Sequence, residues 1–375
     1  MVMAIAFIVI IFGSVLFHFV SPWWTTPLAS NWQQIDDMLA ITLWITGLFF
    51  VVINLFIVYC LLKFRHRPGH RAVYQPENKR LERWLIGVTT IGIVALLAPG
   101  LKVYANYVTP PPEALVLEVV GQQWQWRYRL IGAADKLGAS DARFVSASNP
   151  LGLDPNDVAA RANIVVTGNE VHLPLNRPVR VLARSHDVLH DFFVPPMRAR
   201  MNIVPGQVVS FWFTPTLAGR YEAMCAQLCG VGHPNMRGMV VVEDDAAFQV
   251  WLKTQPTFAS TLSAATAATS AGAGSLSDQG KALAQNKGCV ACHSTDGSPG
   301  VGPTWKGLFG KTETLLDGST VLIDEAALRT DIRDPLLRVV KGFAPIMPKP
   351  DLKDEELEAL VAYIKTLAPV TQAKQ

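Results

Sequence analysis

Four side chains that bind soft metals lie within twelve residues of one another: Cys225, Cys229, His233 and Met236. Two thiolates spaced four residues apart can bridge a pair of copper ions, and an imidazole and a thioether can complete the coordination. Sulfur ligands of this kind select copper rather than magnesium, calcium or manganese. The segment therefore predicts a copper site held largely by one loop.

Such a site needs a second imidazole, and two upstream histidines are candidates. His186 and His190 both lie in a segment that reads as the end of a strand. A structural zinc site is one alternative, but it normally takes four Cys or His ligands in paired short spacings. A mononuclear blue-copper site is another, and it would leave one cysteine without a role. The two cysteines favour a dinuclear copper centre.

A second motif, Cys289-Val-Ala-Cys292-His293, is the attachment signature of a c-type haem. A redox dithiol would need a βαβ context, which this part of the chain lacks. After His293 the sequence has no further histidine and one methionine, Met347. His293 and Met347 are therefore the only axial pair of common ligands here, and such ligation raises the reduction potential. Two redox centres on one chain imply electron transfer.

The composition predicts membrane segments. Of 375 residues, 50% are hydrophobic, and the mean hydropathy of +0.25 is high for a soluble protein. Residues 1–20, 38–62 and 84–101 contain no Asp, Glu, Lys or Arg, and each run can cross a bilayer core of about 30 Å. We predict a retained helix at residues 1–22 and a two-helix hairpin at 36–105. Cleavage of the first segment as a secretory signal would leave two helices.

Charge predicts the orientation of these helices. Residues 63–83 hold seven Lys or Arg and two Glu, so this loop faces the cytoplasm and residues after about 105 are exported. Residues 84–375 have no net charge, which gives nucleic-acid binding no electrostatic support. Of five cysteines, Cys60 lies in the second helix and four belong to the two motifs, so none pair as a structural disulfide.

The exported part divides into two folded regions. Alternating and β-branched segments separated by Pro and Gly turns predict a β-sandwich over residues 106–253. Residues 132–163 read as a long loop inserted between strands. Residues 254–275, rich in Ala, Ser and Thr, predict a flexible linker. Residues 276–375 have helical periodicity and predict a small helical domain.

The copper segment and the strand Gly121-Gln-Gln-Trp-Gln-Trp-Arg-Tyr resemble the copper A domain of haem-copper oxidase subunit II, over most of residues 36–250. Residues 276–368 resemble class I cytochrome c, with Gly302-Pro303 in the usual loop. The resemblance implies a multidomain membrane protein with three transmembrane helices, or two after cleavage. A cupredoxin-like β-sandwich and an all-α class I cytochrome c domain would follow.

The resemblance also implies roles for individual residues. His190 is preferred over His186, because a copper imidazole needs a fixed orientation and the following Asp-Phe-Phe-Val-Pro matches the family's segment. The family often has Glu at position 227, where its carboxylate contacts a further metal at the subunit interface. The implied copper ligands are the bridging thiolates of Cys225 and Cys229, the imidazoles of His190 and His233, the weak thioether of Met236 and the backbone carbonyl of Gln227.

Two further residues have family roles with ordinary alternatives. Trp124 matches the position where electrons enter from the donor, although a tethered haem can dock differently. Alternating tryptophans on a strand are usually core residues, and one of Trp124 and Trp126 must face inward. Glu82 matches the mouth of a proton path into the large subunit. Its alternative is a solvated carboxylate that favours the start of the third helix.

Together these features predict subunit II of a caa-type terminal cytochrome c oxidase, a proton-translocating oxidoreductase whose oxygen site lies in another subunit. Electrons would pass from cytochrome c or a quinol-oxidising complex to the covalent haem c, the dinuclear copper A centre and the catalytic subunit. The predicted partners are oxidase subunit I, other oxidase subunits and membrane lipid. The predicted location is the bacterial inner membrane, multi-pass, with both redox domains periplasmic. The alternatives are a copper A subunit of a nitric oxide reductase and a membrane-tethered electron shuttle.

Overall fold

The computed structural model describes residues 2–21, 26–69, 71, 74, 76–146, 148–270 and 275–368. A first compact unit extends to Thr109 and includes Pro196–Arg198; a second contains Pro110–Pro195 and the residues from Ala199 onward. Parts of all five predicted regions lie outside the described residues: residues 1 and 22 of the first segment, 70, 72, 73 and 75 of the hairpin, 147 of the β-sandwich region, 271–274 of the linker and 369–375 of the last domain.

The first unit contains three long apolar helices, α1 (Val2–Val20), α2 (Gln33–Lys63) and α3 (Lys79–Tyr107). By length and composition each is able to cross a membrane. Asn78 caps α3, because its side chain accepts a hydrogen bond from the Leu81 backbone N–H at 3.1 Å. The helices contain the described residues of the three uncharged runs seen in the sequence.

Two five-stranded sheets form a β-sandwich. Their strands are β1 (Leu115–Gln122), β2 (Gln125–Leu130), β3 (Ile164–Val165), β4 (Glu170–Pro174), β5 (Val179–Ser185), β6 (His190–Val194), β7 (Ala199–Ile203), β8 (Val209–Phe213), β9 (Gly219–Cys225) and β10 (Arg237–Glu243). The strand orders are β3-β2-β1-β5-β8 and β4-β10-β9-β6-β7. β1 pairs with β5 and β4 with β10 in parallel, and the other pairs are antiparallel.

The sandwich core follows the two-residue period of its strands. Trp126 and Tyr128 on β2 are buried, as are Phe192 on β6 and Phe211 on β8. Trp126 lies edge-on to Phe192, with ring centroids 5.1 Å apart. Of the two predicted alternatives, Trp126 therefore faces the core and Trp124 is only half-buried.

A buried ion-pair cluster anchors the inserted segment 132–163. Glu118 accepts hydrogen bonds from Arg129 at 2.5 and 3.0 Å and from Arg184 at 3.1 Å. The same guanidinium groups donate to carbonyl oxygens of the insertion, Arg129 to Gly138 and Arg184 to Leu151. Burial raises the pKa of Glu118, but the two guanidinium groups prevail and lower it. The insertion, which includes helix α4 (Val158–Ala162), is thus part of the sandwich.

Over residues 258–270 the structure has a helix where the sequence predicted a flexible linker. After helix α5 (Asp245–Thr254), residues 258–270 form helix α6 (Phe258–Ser270). Phe258 is buried in a cluster with Val120 and Leu153. Ala is the best helix former, and one buried aromatic ring anchors the segment to the sandwich, so a composition typical of linkers folds here as a helix.

The C-terminal region is built from helices α7 (Leu276–Asn286), α8 (Glu325–Arg333) and α9 (Asp354–Thr366). A short antiparallel hairpin, β11 (Thr312–Thr314) with β12 (Thr320–Leu322), accompanies them. The helices share a hydrophobic core whose buried members include Leu283, Trp305, Leu328, Leu360 and Ile364.

Candidate copper and haem sites

Strand ends bring the predicted copper ligands together. His190 is the first residue of β6, and Cys225 is the last residue of β9. The two strands pair, with Phe192 opposite Cys225. The loop from β9 to β10 returns to its start, because the Cys225 N–H donates to the Met236 carbonyl oxygen at 3.1 Å. That loop also carries Gln227, Cys229 and His233.

Each thiol of the loop has its own imidazole. The sulfur atoms of Cys225 and Cys229 are 3.7 Å apart. The Nδ1 atom of His190 lies 3.9 Å from the Cys225 sulfur, and Nδ1 of His233 lies 3.6 Å from the Cys229 sulfur. A disulfide has a sulfur separation of about 2.05 Å, so both cysteines are free thiols with nitrogen donors beside them.

Each thiol also has one weaker donor atom beside it. The Met236 sulfur lies 3.9 Å from the Cys229 sulfur, and the Gln227 carbonyl oxygen lies 3.1 Å from the Cys225 sulfur. Both cysteines and Met236 are buried. Sulfur and imidazole donors in a buried site fit copper, and the paired arrangement provides donors for two ions.

A carboxylate fixes the orientation of His190. Asp187 Oδ1 lies 2.8 Å from His190 Nε2, and the Gln123 N–H donates to Asp187 Oδ2 at 2.7 Å. This carboxylate–imidazole pair leaves Nδ1 as the atom that faces the thiols. Gly121 permits the ring position, because a Cβ there would lie 2.9 Å from His190 Cδ2. The sequence reasoning missed Asp187, whose one signal was its place three residues before a ligand histidine.

The two thiols differ in acidity. Burial alone would raise the pKa of Cys225, but hydrogen bonding to His190 and to the backbone of Asp191 and Gln227 lowers it to about 6. Burial and the neighbouring Cys225 charge raise the pKa of Cys229 to about 12. Cys225 is thus the more acidic of the two thiols, and because copper binds thiolates, its binding by both sulfurs releases the protons that they carry.

His186, the other candidate imidazole, has different neighbours from His190. Arg184 Nη1 donates to His186 Nε2 at 3.0 Å. Burial, followed by the charge of Arg184, lowers the pKa of His186 to about 4. His186 is thus a neutral acceptor for the guanidinium, whereas His190 is the imidazole at the thiols.

The four predicted haem-binding residues line one apolar cavity: Cys289, Cys292, His293 and Met347. His293 Nδ1 lies 2.8 Å from the Pro303 carbonyl oxygen, which therefore accepts its proton and leaves Nε2 with a free lone pair. Burial raises the pKa of Cys289 to about 11 and also raises that of Cys292. Two free thiols, an oriented imidazole and a thioether around an apolar wall fit a c-type haem.

Trp124 connects the two sites. Its indole N–H donates to the Cys229 carbonyl oxygen at 3.2 Å, and its ring lines the same cavity as Cys289 and His293. Glu82 lies exposed in the first turn of α3. The roles of Trp124 in electron transfer and of Glu82 in proton transfer remain predictions.

Comparison with known proteins matches both exported regions. The family model of the cytochrome c oxidase subunit II periplasmic domain matches residues 115–244, and that of cytochrome c matches residues 277–368. Alternative cytochrome c oxidase subunit 2 of Bradyrhizobium diazoefficiens is 48% identical over 259 residues, 69% of this chain and 94% of that protein. Cytochrome c oxidase subunit 2 of Alkalihalophilus pseudofirmus is 23% identical over 351 residues, 91% of this chain and 89% of that protein.

Among solved structures, the periplasmic domain of cytochrome oxidase subunit II of Bradyrhizobium japonicum is similar, with 24% identity and a TM-score of 0.28. That match covers 39% of this chain and 96% of the solved chain.

A cupredoxin-like sandwich with a thiol and imidazole centre, joined to a cytochrome c domain and apolar helices, defines a membrane-anchored electron-transfer protein. The family models and the relative that is 48% identical make the assignment specific. The chain belongs to the cytochrome c oxidase subunit II family, with a cytochrome c domain fused at its C-terminal end.

Membership of this family settles the broader predictions. The predicted fold class and the predicted function as an electron-relaying component of a haem-copper oxidase, an oxidoreductase, are confirmed. The family implies copper A, haem, association with other oxidase subunits, and periplasmic domains on a membrane anchor. The domain boundaries and the individual ligands stay predictions.

Proposed function

We propose that this chain receives electrons on a covalently attached haem c and relays them through a dinuclear copper A centre to the oxygen-reducing subunit. The observation that carries the proposal is the pairing of donors: Cys225 lies beside His190, and Cys229 beside His233. When bound, a copper pair bridged by thiolates shares one electron over both metals, and a His/Met haem is a one-electron carrier of raised potential.

The copper ligands proposed are those whose donor atoms converge at the two sulfurs. The thiolates of Cys225 and Cys229 would hold both coppers, and two weaker donors would complete the site, the Met236 thioether near the Cys229 sulfur and the Gln227 carbonyl near the Cys225 sulfur. His190 is held by Asp187, so the imidazole stays in place whatever the charge at the sulfurs. Burial of the sulfurs excludes water from them.

The haem ligands proposed are those that line the apolar cavity. The thiols of Cys289 and Cys292 would attach the haem, and the imidazole of His293 and the thioether of Met347 would bind its iron. The Pro303 carbonyl holds the His293 proton on Nδ1. Trp305 stacks on the His293 ring, with centroids 5.3 Å apart, and keeps the imidazole plane fixed.

The proposed membrane location and partners of the chain follow from its apolar helices and its positively charged loop. Helices α1 to α3 span the bacterial inner membrane, with residues 63–83 in the cytoplasm and both redox domains in the periplasm. Their exposed apolar faces contact lipid and oxidase subunit I. Cytochrome c or a quinol-oxidising complex is the donor. Glu82, at the cytoplasmic start of α3, is suitably placed to admit protons to the catalytic subunit.

Cys229→Ser tests the copper assignment. Without the second bridging sulfur the site can no longer hold two coppers symmetrically, so we expect metal analysis to fall from two coppers per chain to one or fewer. The electron paramagnetic resonance pattern of an electron shared by two coppers should disappear while the haem spectrum stays intact. Cys60→Ser, in helix α2, is the matched control and should change neither signal. Unchanged copper content in Cys229→Ser would contradict the proposal.

A further inference from the structure

Three side chains of the sandwich donate hydrogen bonds to the cytochrome c domain. Gln125 Nε2 and Arg127 Nη2, both on β2, donate to the carbonyl oxygen of Asn286 at 3.1 and 3.2 Å. Asn235 Nδ2 donates to the Ala291 carbonyl oxygen at 2.9 Å. Asn286 is the last residue of α7, and Ala291 lies between the two cysteines of the haem motif.

The first contact uses the electrostatics of a helix end. The last carbonyl groups of an α-helix lack partners within the helix and carry partial negative charge. The guanidinium of Arg127 supplies both a donor and a positive charge at the end of α7. Burial lowers the pKa of Arg127 to about 10, so the group is still charged at neutral pH.

The second contact brings the two redox loops together. Asn235 lies between the copper ligands His233 and Met236, and it contacts the turn that carries the haem cysteines. Nearby, Gly288 has a left-handed backbone with φ of +73°, and a Cβ there would lie 2.9 Å from the Gln123 carbonyl oxygen. The haem loop therefore meets the residues before Trp124 backbone to backbone.

We infer that Gln125, Arg127 and Asn235 form a docking surface for the chain's own cytochrome c domain. These three residues position the haem against the copper centre, and the inference rests on the proposed function for the redox role of the contact. Gln125 and Asn235 are uncharged donors to main-chain carbonyls and Arg127 alone adds a charge, so most of the contact does not depend on attraction between opposite charges. Salt screens such attraction strongly, and docking through this surface should therefore persist at high ionic strength.

The docking surface also bears on where electrons enter. Trp124 lines the haem cavity and lies beside the Gly288 contact. While the cytochrome c domain is docked, an external donor delivers electrons to the haem domain and not to Trp124 directly.

The test uses the full chain with copper and haem bound. In Gln125→Ala/Arg127→Ala we expect hydrogen–deuterium exchange of the peptide covering residues 286–293 to rise by about 10-fold to 100-fold, since three hydrogen bonds to Asn286, two of them from a charged donor, are lost. Flash photoreduction of the haem should show electron arrival at copper slowed to a similar extent, with the copper and haem spectra unchanged. Asn235→Ala should give a smaller effect in the same direction, and Arg127→Lys should partly restore the rate.

Arg220→Ala is the matched control, because Arg220 pairs with Glu170 outside the docking surface. It should leave exchange and electron transfer unchanged. The inference is overturned if the double variant keeps wild-type exchange and transfer rates. It is equally overturned if 1 M salt removes the protection in the unaltered chain, a measurement that needs no variant. Failure of the proposed function would appear differently, as missing copper or haem in the unaltered chain.

Discussion

The copper-bearing and haem-bearing regions use the same kinds of donor but hold them in contrasting ways. The proposed copper donors come from β6, β9 and the loop that leads to β10, and their sulfur and nitrogen atoms lie within 3.9 Å of a neighbouring donor. The proposed haem-binding residues come from one short motif and from Met347, on an irregular stretch between α8 and α9, and they line an apolar cavity.

The contrast teaches which part of each site the protein supplies. In the sandwich, strand pairing and the Asp187 carboxylate fix the copper donors, so little rearrangement accompanies metal binding or a change of charge. In the cytochrome c domain, the cavity wall is apolar and includes members of the hydrophobic core, among them Trp305, Leu328 and Leu360. Haem therefore completes the hydrophobic core there, and folding of that domain should depend on the cofactor.

The largest expected effect tests the haem half of the contrast. In Cys289→Ser/Cys292→Ser no thioether bond can form, so essentially all covalent haem should be lost, as measured by haem staining of the denatured chain. The cooperative unfolding of the helical domain should be lost together with the haem, because a domain of under about 100 residues has a small hydrophobic core and is marginally stable without its cofactor. The copper resonance signal should survive. A cytochrome c domain that melts at the same temperature without haem would break the comparison.

The sequence alone indicates which residues are candidate ligands, but it does not indicate how their side chains are oriented. Both cysteine motifs were legible because their spacing reflects metal and haem chemistry directly. The choice between His186 and His190 was not legible from spacing, since it depends on Arg184 binding His186. The role of Asp187 depends on Gln123, which is 64 residues away in sequence and close only after the sheet forms.

The fold was predictable where patterns are local. Three uncharged runs and the main alternating strands correspond to elements of the structure. Helix α6 was not predicted, because an Ala, Ser and Thr segment suits a linker or a helix equally well. Burial of Phe258 against Leu153 decides between them, and that contact is not local. The docking surface was also missed, since Gln125 and Arg127 have no motif.

A second prediction tests the sandwich framework that fixes the copper donors. Glu118→Gln leaves the guanidinium groups of Arg129 and Arg184 without their buried counter-charge, so the sandwich should lose about 3–5 kcal/mol of unfolding free energy. Denaturant unfolding monitored by Trp fluorescence measures it. Glu222→Gln, which removes an exposed pair with Arg237, should cost under about 1 kcal/mol.

The same carboxylate has a pH dependence with a defined sign. The folded-state pKa of Glu118 is lower than the pKa of the same carboxyl in the unfolded chain. The stability that the Glu118 charge contributes is therefore complete above the unfolded-state pKa, and it is lost as the pH falls from there through the folded-state pKa. The unaltered chain should therefore lose stability on acidification more steeply than Glu118→Gln. If the unfolding free energy fell with decreasing pH at the same rate in both chains, the stability of the sandwich would not depend on the Glu118 charge.

The smallest expected effect concerns the carboxylate that holds His190 Nε2 and so helps to fix the copper donors. In Asp187→Asn the amide cannot hold the proton of His190 Nε2 as a carboxylate does, so the imidazole loses its fixed tautomer and part of its basicity. Copper affinity, measured by competition with a chelator, should fall by about 10-fold to 100-fold, while the coppers bound at saturation stay at two. Asp245→Asn, exposed in the first turn of α5, is the matched control.

In Asp187→Asn the haem content and the haem reduction potential should not change, because the substitution acts on a copper imidazole and on no group of the haem cavity. If affinity were unaltered, strand pairing alone would suffice to orient His190, and the carboxylate would have no part in making the copper donors rigid.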